Sequence, residues 1–204
     1  MVRSMMMLAV LAACDTKEAD TTADSGDTAP DCEQPESGPF GPDNSWEHAD
    51  AADVPCDLEG TGYASGDLAY NFLMLDQHGD TVELYQFYGK VIVLDLVAEW
   101  CGPCQEMAPE GQEVWEDLGD DGLVYITAVL EDAASGPPAD TVISGWAETF
   151  ELTHPVVSDL GGEIAPFNTY GFPAVVVIDR DMSVVTDELL PFDRGFLELM
   201  VAAR

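Results

Sequence analysis

The run KVIVLDLVA (90–98) is apolar at every position except Lys90 and Asp95 and is rich in β-branched residues. That pattern belongs to a strand covered on both faces. LVYITAVL (123–130) repeats it. Between them Met107, Val114, Trp115 and Leu118 recur at helical spacing. Upstream, YNFLML (70–75) and TVELYQF (81–87) flank the turn cluster Asp76-Gln77-His78-Gly79-Asp80 and predict a hairpin of two strands. Downstream, a helix is expected near 139–150, with Val142, Ile143, Trp146 and Phe150 on one face. PVVS (155–158) reads as a short strand. AVVVID (174–179) and SVVTDELL (183–190) read as a second hairpin around Arg180-Asp181-Met182, and Phe192 to Ala203 as a closing helix. Strands alternating with helices and ending in a hairpin predict an α/β domain: a mixed central sheet with helices on both faces.

Patterning changes sharply before residue 67, and four regions are expected. Residues 1–14 carry Arg3 and then a short apolar run from Met5 to Ala13, too short to span a bilayer. Leu11-Ala12-Ala13-Cys14 resembles a bacterial lipobox, which implies a signal peptide and lipidation at Cys14. An ordinary secretory signal with a chance cysteine is the alternative. Residues 15–31 are mostly Asp, Thr, Ala, Ser and Gly with almost nothing to bury, and read as a flexible acidic tether. Residues 32–66 mix Pro, Gly and acidic residues with Phe40, Trp46 and Tyr63, and read as an irregular cap on the domain formed by 67–204.

Charge narrows the partners. Six Lys and Arg stand against 40 Asp and Glu, for a formal net charge of −34. Such a surface repels phosphate backbones, so nucleic acid is not expected as a partner. The acidity fits either a solvated surface suited to high salt or recognition of a basic partner.

Five cysteines remain to be placed. With Cys14 assigned to lipid and Cys101 and Cys104 forming a C-x-x-C pair, Cys32 and Cys56 are left, and outside the cytoplasm they are expected to pair. The thiolate is the form that attacks a disulfide. A cysteine at the start of a helix meets unpaired N–H groups and the positive dipole end, which favour that form. Cys101 is thus the expected attacking sulfur. Cys104, one turn on, is the resolving one. Gly102 permits close approach, Pro103 loses little at a helix start, and Trp100 shields the sulfur.

DLVAEWCGPCQEMAP (95–109) resembles thioredoxin across Ala98 to Cys104. The N-terminal hairpin, the longer region after the second buried strand and THPVVSD resemble the TlpA/ResA branch of extracytoplasmic, membrane-tethered thioredoxin-like proteins. The resemblance covers roughly residues 66–204. It implies a thioredoxin fold with an extra N-terminal hairpin, and a thiol–disulfide oxidoreductase whose only redox centre is the Cys101–Cys104 pair, without metal or other cofactor. It places Asp95 where the family carries a buried acid, fitted to take the Cys104 proton; an acid at a polar sheet end is the alternative. Pro109 matches a structural family proline. Phe172-Pro173 matches a cis bond beside the active site, so Gly171, Phe172 and Pro173 are expected at the substrate groove, with Trp100, Gly102 and Pro103. Phe172 and Ala174 depart from the residues usual there. Glu131 and Asp132 are candidates for an acid near the site, and Glu99 for a solvated charge.

The implied activity is reduction of disulfides in extracytoplasmic proteins. The implied partners are protein thiols and disulfides and an upstream membrane thiol reductant. The implied setting is the cell envelope, on the extracytoplasmic (periplasmic) side of inner or outer membrane, as a lipid-anchored monomer. Two other readings stand beside it. A copper-delivery module would use both thiolates and a histidine, with His154 the reachable one of His48, His78 and His154; His154 otherwise reads as a packed loop residue. A peroxiredoxin-like peroxidase would need Pro-x-x-x-Thr/Ser-x-x-Cys, which residues 94–101 lack.

Overall fold

The computed structural model describes residues 32–164, 171–187 and 192–203. Cys14, the 15–31 segment and the end of the 183–190 run lie outside them. The elements in order are β1 (Leu73–Asp76), β2 (Thr81–Glu83), a 3-10 helix (Leu84–Phe87), β3 (Val91–Ala98), α1 (Gly102–Leu118), a second 3-10 turn (Gly119–Asp121), β4 (Leu123–Glu131), α2 (Asp140–Thr149), β5 (Val156–Ser158), β6 (Ala174–Ile178), β7 (Val184–Thr186) and α3 (Arg194–Ala202). The strands form one mixed sheet in the order β2-β1-β5-β4-β3-β6-β7. β3 and β4 lie parallel, from Val91 opposite Leu123 to Val97 opposite Val129. β6 runs antiparallel on the other side of β3, and β5 runs parallel beside β4.

Every residue of β3 is buried, as a continuous apolar run demands. Alternation divides the strands between two layers. Ile92, Leu94, Leu96, Val124 and Ile126 pack with Phe72, Leu84, Phe87, Ile164 and Met182. On the opposite face Val91, Val93, Tyr125 and Val177 pack with Met107 and Val114 of α1 and with Leu197 and Val201 of α3. Val97 and Val129 pack there with Ile143 and Trp146 of α2. The sheet is therefore flanked by helices, but among the described residues all three α-helices share one face. The Leu84–Phe87 3-10 helix and the 32–66 segment cover the other.

The second expected strand is shorter than 81–87. Its pairing stops at Glu83, because Leu84, Tyr85, Gln86 and Phe87 are all buried and cannot alternate. The Gln86 side chain accepts the Glu83 N–H at 2.9 Å, and the Tyr85 hydroxyl donates to the Ala69 carbonyl at 2.7 Å. These bonds turn the chain into the sheet face. The hairpin turn is closed by Asp76, whose Oδ1 accepts the N–H groups of His78 and Asp80.

Residues 32–66 belong to the same compact unit as the sheet. Phe40, Trp46, Leu58 and Tyr63 pack against the core on the face away from the α-helices. A Cys32–Cys56 disulfide staples the segment, and the Trp46 indole N–H donates to Asp76 at 2.7 Å. At the other end Asp193 caps α3 by accepting the Phe196 N–H, and the Arg180 guanidinium donates to the Met200, Val201 and Ala203 carbonyls. A cation there complements the negative end of the helix.

Candidate active site

β3 ends at Ala98, and after Glu99, Trp100 and Cys101 the chain enters α1 at Gly102. Cys101 is the N-cap of α1, with extended backbone angles, and its Sγ accepts the Cys104 N–H at 3.2 Å. A sulfur in this position meets the donors that a helix leaves unpaired at its start. The first turn, with Gly102 and Pro103, holds no acidic residue to oppose a negative sulfur. Cys101 and Cys104 are joined as a disulfide with Cα atoms 5.3 Å apart. Cys104 is fully buried and Cys101 is 2% exposed.

Trp100 stands beside the pair with half of its surface exposed. Its indole N–H donates to Glu131 Oε2 at 2.9 Å, and its ring meets Phe172 edge-on at 5.8 Å. Of the two acids ending β4, Glu131 thus reaches the site. Asp132 instead accepts the Ala134 and Gly136 N–H groups and closes a turn. Glu99 is a half-buried charge at the solvent boundary that also accepts the Ala133 N–H at 2.7 Å. The Phe172–Pro173 peptide is cis, Gly171 has φ 111°, and Phe172 packs in the cluster that holds both sulfurs. An open groove of about 500 Å³ borders the first turns of α1, lined by Glu99, Gln105, Val142, Trp146 and Phe150.

Asp95 lies in the middle of β3 and is 1% exposed. It is on the face shared with Val93 and Val97, the face on which α1 and its cysteines pack. Burial pushes its carboxyl up to about 7, against a smaller downward pull from a Tyr125 hydrogen bond. Tyr125 is the site residue that the sequence did not disclose. Its hydroxyl donates to Asp95 Oδ2 at 3.3 Å. Gly111 of α1 makes room for it, because a Cβ there would meet Tyr125 Cζ at 2.6 Å. The only sequence signal was a tyrosine inside an apolar strand opposite a glycine-bearing helix.

The histidines are scattered. His154 is buried, with Nε2 at 3.0 Å from Thr127 Oγ1 and Nδ1 at 3.3 Å from Gln112 Oε1. Burial pulls it down to about 3, so it is neutral. His48 bonds the Phe40 carbonyl, and His78 stacks on Trp46. Among the described residues no helix is long and apolar enough to cross a membrane.

A mixed sheet whose central strand delivers a Cys-Gly-Pro-Cys pair to a helix start defines the class of thioredoxin-like proteins. The model of the AhpC/TSA family matches residues 65–186, and the chain belongs to that family. It is 30% identical over 125 residues to the thiol-disulfide oxidoreductase ResA of Bacillus thuringiensis, covering 60% of this chain and 68% of that protein. Among solved structures, the thioredoxin domain of a thiol-disulfide oxidoreductase from Bacteroides vulgatus superposes with a TM-score of 0.59 at 19% identity, over 68% of this chain and 98% of that one. The exposed lipoprotein thioredoxin of Streptococcus pneumoniae superposes with a TM-score of 0.55 at 20% identity, over 66% of this chain and 99% of that one. The protein is a thioredoxin-like thiol–disulfide oxidoreductase.

Proposed function

We propose that the protein reduces disulfides of extracytoplasmic proteins through the Cys101–Cys104 dithiol, while held at the cell envelope by a lipid on Cys14. The observation that carries this reading is the seat of Cys101: an N-cap sulfur accepting a backbone N–H, beside an exposed tryptophan and a cis proline. In the reduced protein the Cys101 thiolate attacks one sulfur of the substrate disulfide. That bond breaks, its other sulfur leaves with the electron pair, and a mixed disulfide forms on Cys101. Cys104 then gives its proton to Asp95 and attacks the Cys101 sulfur. The substrate's second sulfur departs as a thiolate, and Cys101–Cys104 closes oxidised. An upstream membrane thiol donor restores the dithiol. Trp100, Phe172 and Pro173 flank the substrate strand, whose backbone pairs beside the cis bond.

The short signal-like N-terminus with Leu11-Ala12-Ala13-Cys14 supports the envelope location, and a lipoprotein thioredoxin is among the structural relatives. The reducing direction rests on the Gly-Pro dipeptide between the cysteines.

The test is trapping in cell envelopes. Cys104→Ser should hold partner proteins on Cys101 as mixed disulfides released by dithiothreitol, and Cys101→Ser should hold none. Full turnover of a disulfide substrate by Cys104→Ser, or trapping that survives in Cys101→Ser, contradicts the assignment.

A further inference from the structure

Asp95 Oδ2 accepts the Tyr125 hydroxyl, whereas Oδ1 is buried without a partner among the described residues. The two oxygens of one carboxylate are therefore unequal. Tyr125 sits two residues before Thr127, the residue opposite Asp95 in the β3–β4 ladder, so its hydroxyl reaches the acid diagonally. Its ring is fully buried and fixed on several sides. Gly111 abuts it from α1, where even a methyl group would collide. His154 faces it at 4.9 Å and Phe192 at 6.4 Å between ring centroids. His154 is itself pinned by Thr127 and Gln112.

We propose that Tyr125 is a positioning residue for the resolving step: its hydroxyl holds Asp95 through Oδ2 and leaves Oδ1 as the oxygen that takes the Cys104 proton. This rests on the reading of Asp95 as proton acceptor. In the step, the Cys104 S–H bond breaks and its proton passes to Oδ1. The electron pair left on the Cys104 sulfur forms the Cys104–Cys101 bond as the Cys101–substrate bond breaks, and the substrate sulfur leaves as a thiolate with the pair of the broken bond. Asp95, now neutral, returns its proton to solvent before the next cycle.

The hydroxyl also tunes when Asp95 can act. A hydrogen bond donated to a carboxylate favours its charged form. The titratable groups around it are Tyr125 of β4 and, on the same side of the sheet, Cys104 of α1. Glu110 of α1 and His154 before β5 act one step further out, on or against Tyr125. His154 is neutral and brings no cation. Tyr125 is therefore the group through which the fold offsets the burial of Asp95.

The experiment is a ¹³C-carboxyl NMR titration of Asp95 in the oxidised full chain, paired with rapid-mixing rates of the resolving step against pH. Tyr125→Phe keeps the ring and removes only the hydroxyl. It should raise the Asp95 midpoint by about one pH unit, roughly tenfold in proton affinity. The resolving rate should shift along the pH axis by the same amount and recover at higher pH. Gly111→Ala, which crowds the phenol, should move the midpoint in the same direction. A Tyr125→Phe midpoint equal to wild type, with Asp95→Asn flattening the rate profile, overturns the tyrosine's role alone. An Asp95→Asn rate profile identical to wild type overturns the acceptor reading and this proposal with it.

Discussion

Asp95 and His154 are two buried titratable side chains on neighbouring strands and loops, and burial has moved them in opposite directions. The Asp95 carboxyl is pushed up to about 7 by desolvation. Its folded pKa lies above its unfolded one, so its contribution is fully present below about pH 4 and is lost as pH rises through 7. His154 is pulled down to about 3 by desolvation, so its contribution is present above about pH 6.5 and is lost as pH falls towards 3. An acid placed at such cost in an apolar strand suits a proton acceptor near neutrality better than a scaffold. Asp95→Asn should therefore be more stable than wild type at pH 8, by a few kcal/mol, because each pH unit between the folded and unfolded midpoints is worth about 1.4 kcal/mol. The gain should vanish towards pH 4. Urea unfolding at the two pH values measures it. A variant less stable at pH 8 would mean that the charge is satisfied in the fold.

At the scale of elements, the cores of β3, α1, β4, α2 and β6 were legible because continuous burial and helical spacing write themselves into the chain. So was the Cys101–Cys104 pair, whose partners are three residues apart. What was not legible depends on register between distant segments. The Leu84–Phe87 turn looked like strand because Leu84, Tyr85 and Phe87 are apolar or aromatic, yet its shape is set by Gln86 bonding to Asn44, 42 residues away. Tyr125 meets Asp95 only through the β3–β4 alignment, and His154 meets Gln112 across 42 residues. That the three α-helices among the described residues share one face could not be read from alternation of elements. Residues 32–66 gave the weakest signal, since their order comes from docking Phe40, Trp46 and Leu58 onto a sheet face rather than from local periodicity. The Cys32–Cys56 bridge, closing a separation of 24 residues, restrains this segment in the unfolded chain. Replacing both with Ser should cost about 3 kcal/mol in denaturant unfolding. Turnover of a small disulfide substrate should stay unchanged, because the segment's Phe40, Trp46 and Leu58 pack in a different cluster from the two active-site cysteines. Loss of turnover in a folded double variant would place the segment in the active site.

The whole molecule carries a formal charge of −34 with six Lys and Arg in all. Lys90 pairs with Glu47, Arg180 with Asp179, and Arg194 with both Asp117 and Glu198, all at partly exposed sites where such pairs add little. Most of the acidity is therefore self-repulsion. Raising salt from about 0.1 M to 1 M shortens the screening length from about 10 Å to 3 Å. The melting temperature should rise, and the absence of any rise would favour a basic partner as the reason for the charge. Against that negative background the ionisation of a single sulfur is the more demanding feature, since the carboxylates of the surface oppose it and the helix start favours it. The pH dependence of Cys101 alkylation in the reduced protein measures this balance. A midpoint below about 8.5, the ordinary cysteine value, with Cys101 modified before Cys104, is the predicted result. A midpoint at or above that value, or prior modification of Cys104, contradicts Cys101 as the attacking sulfur.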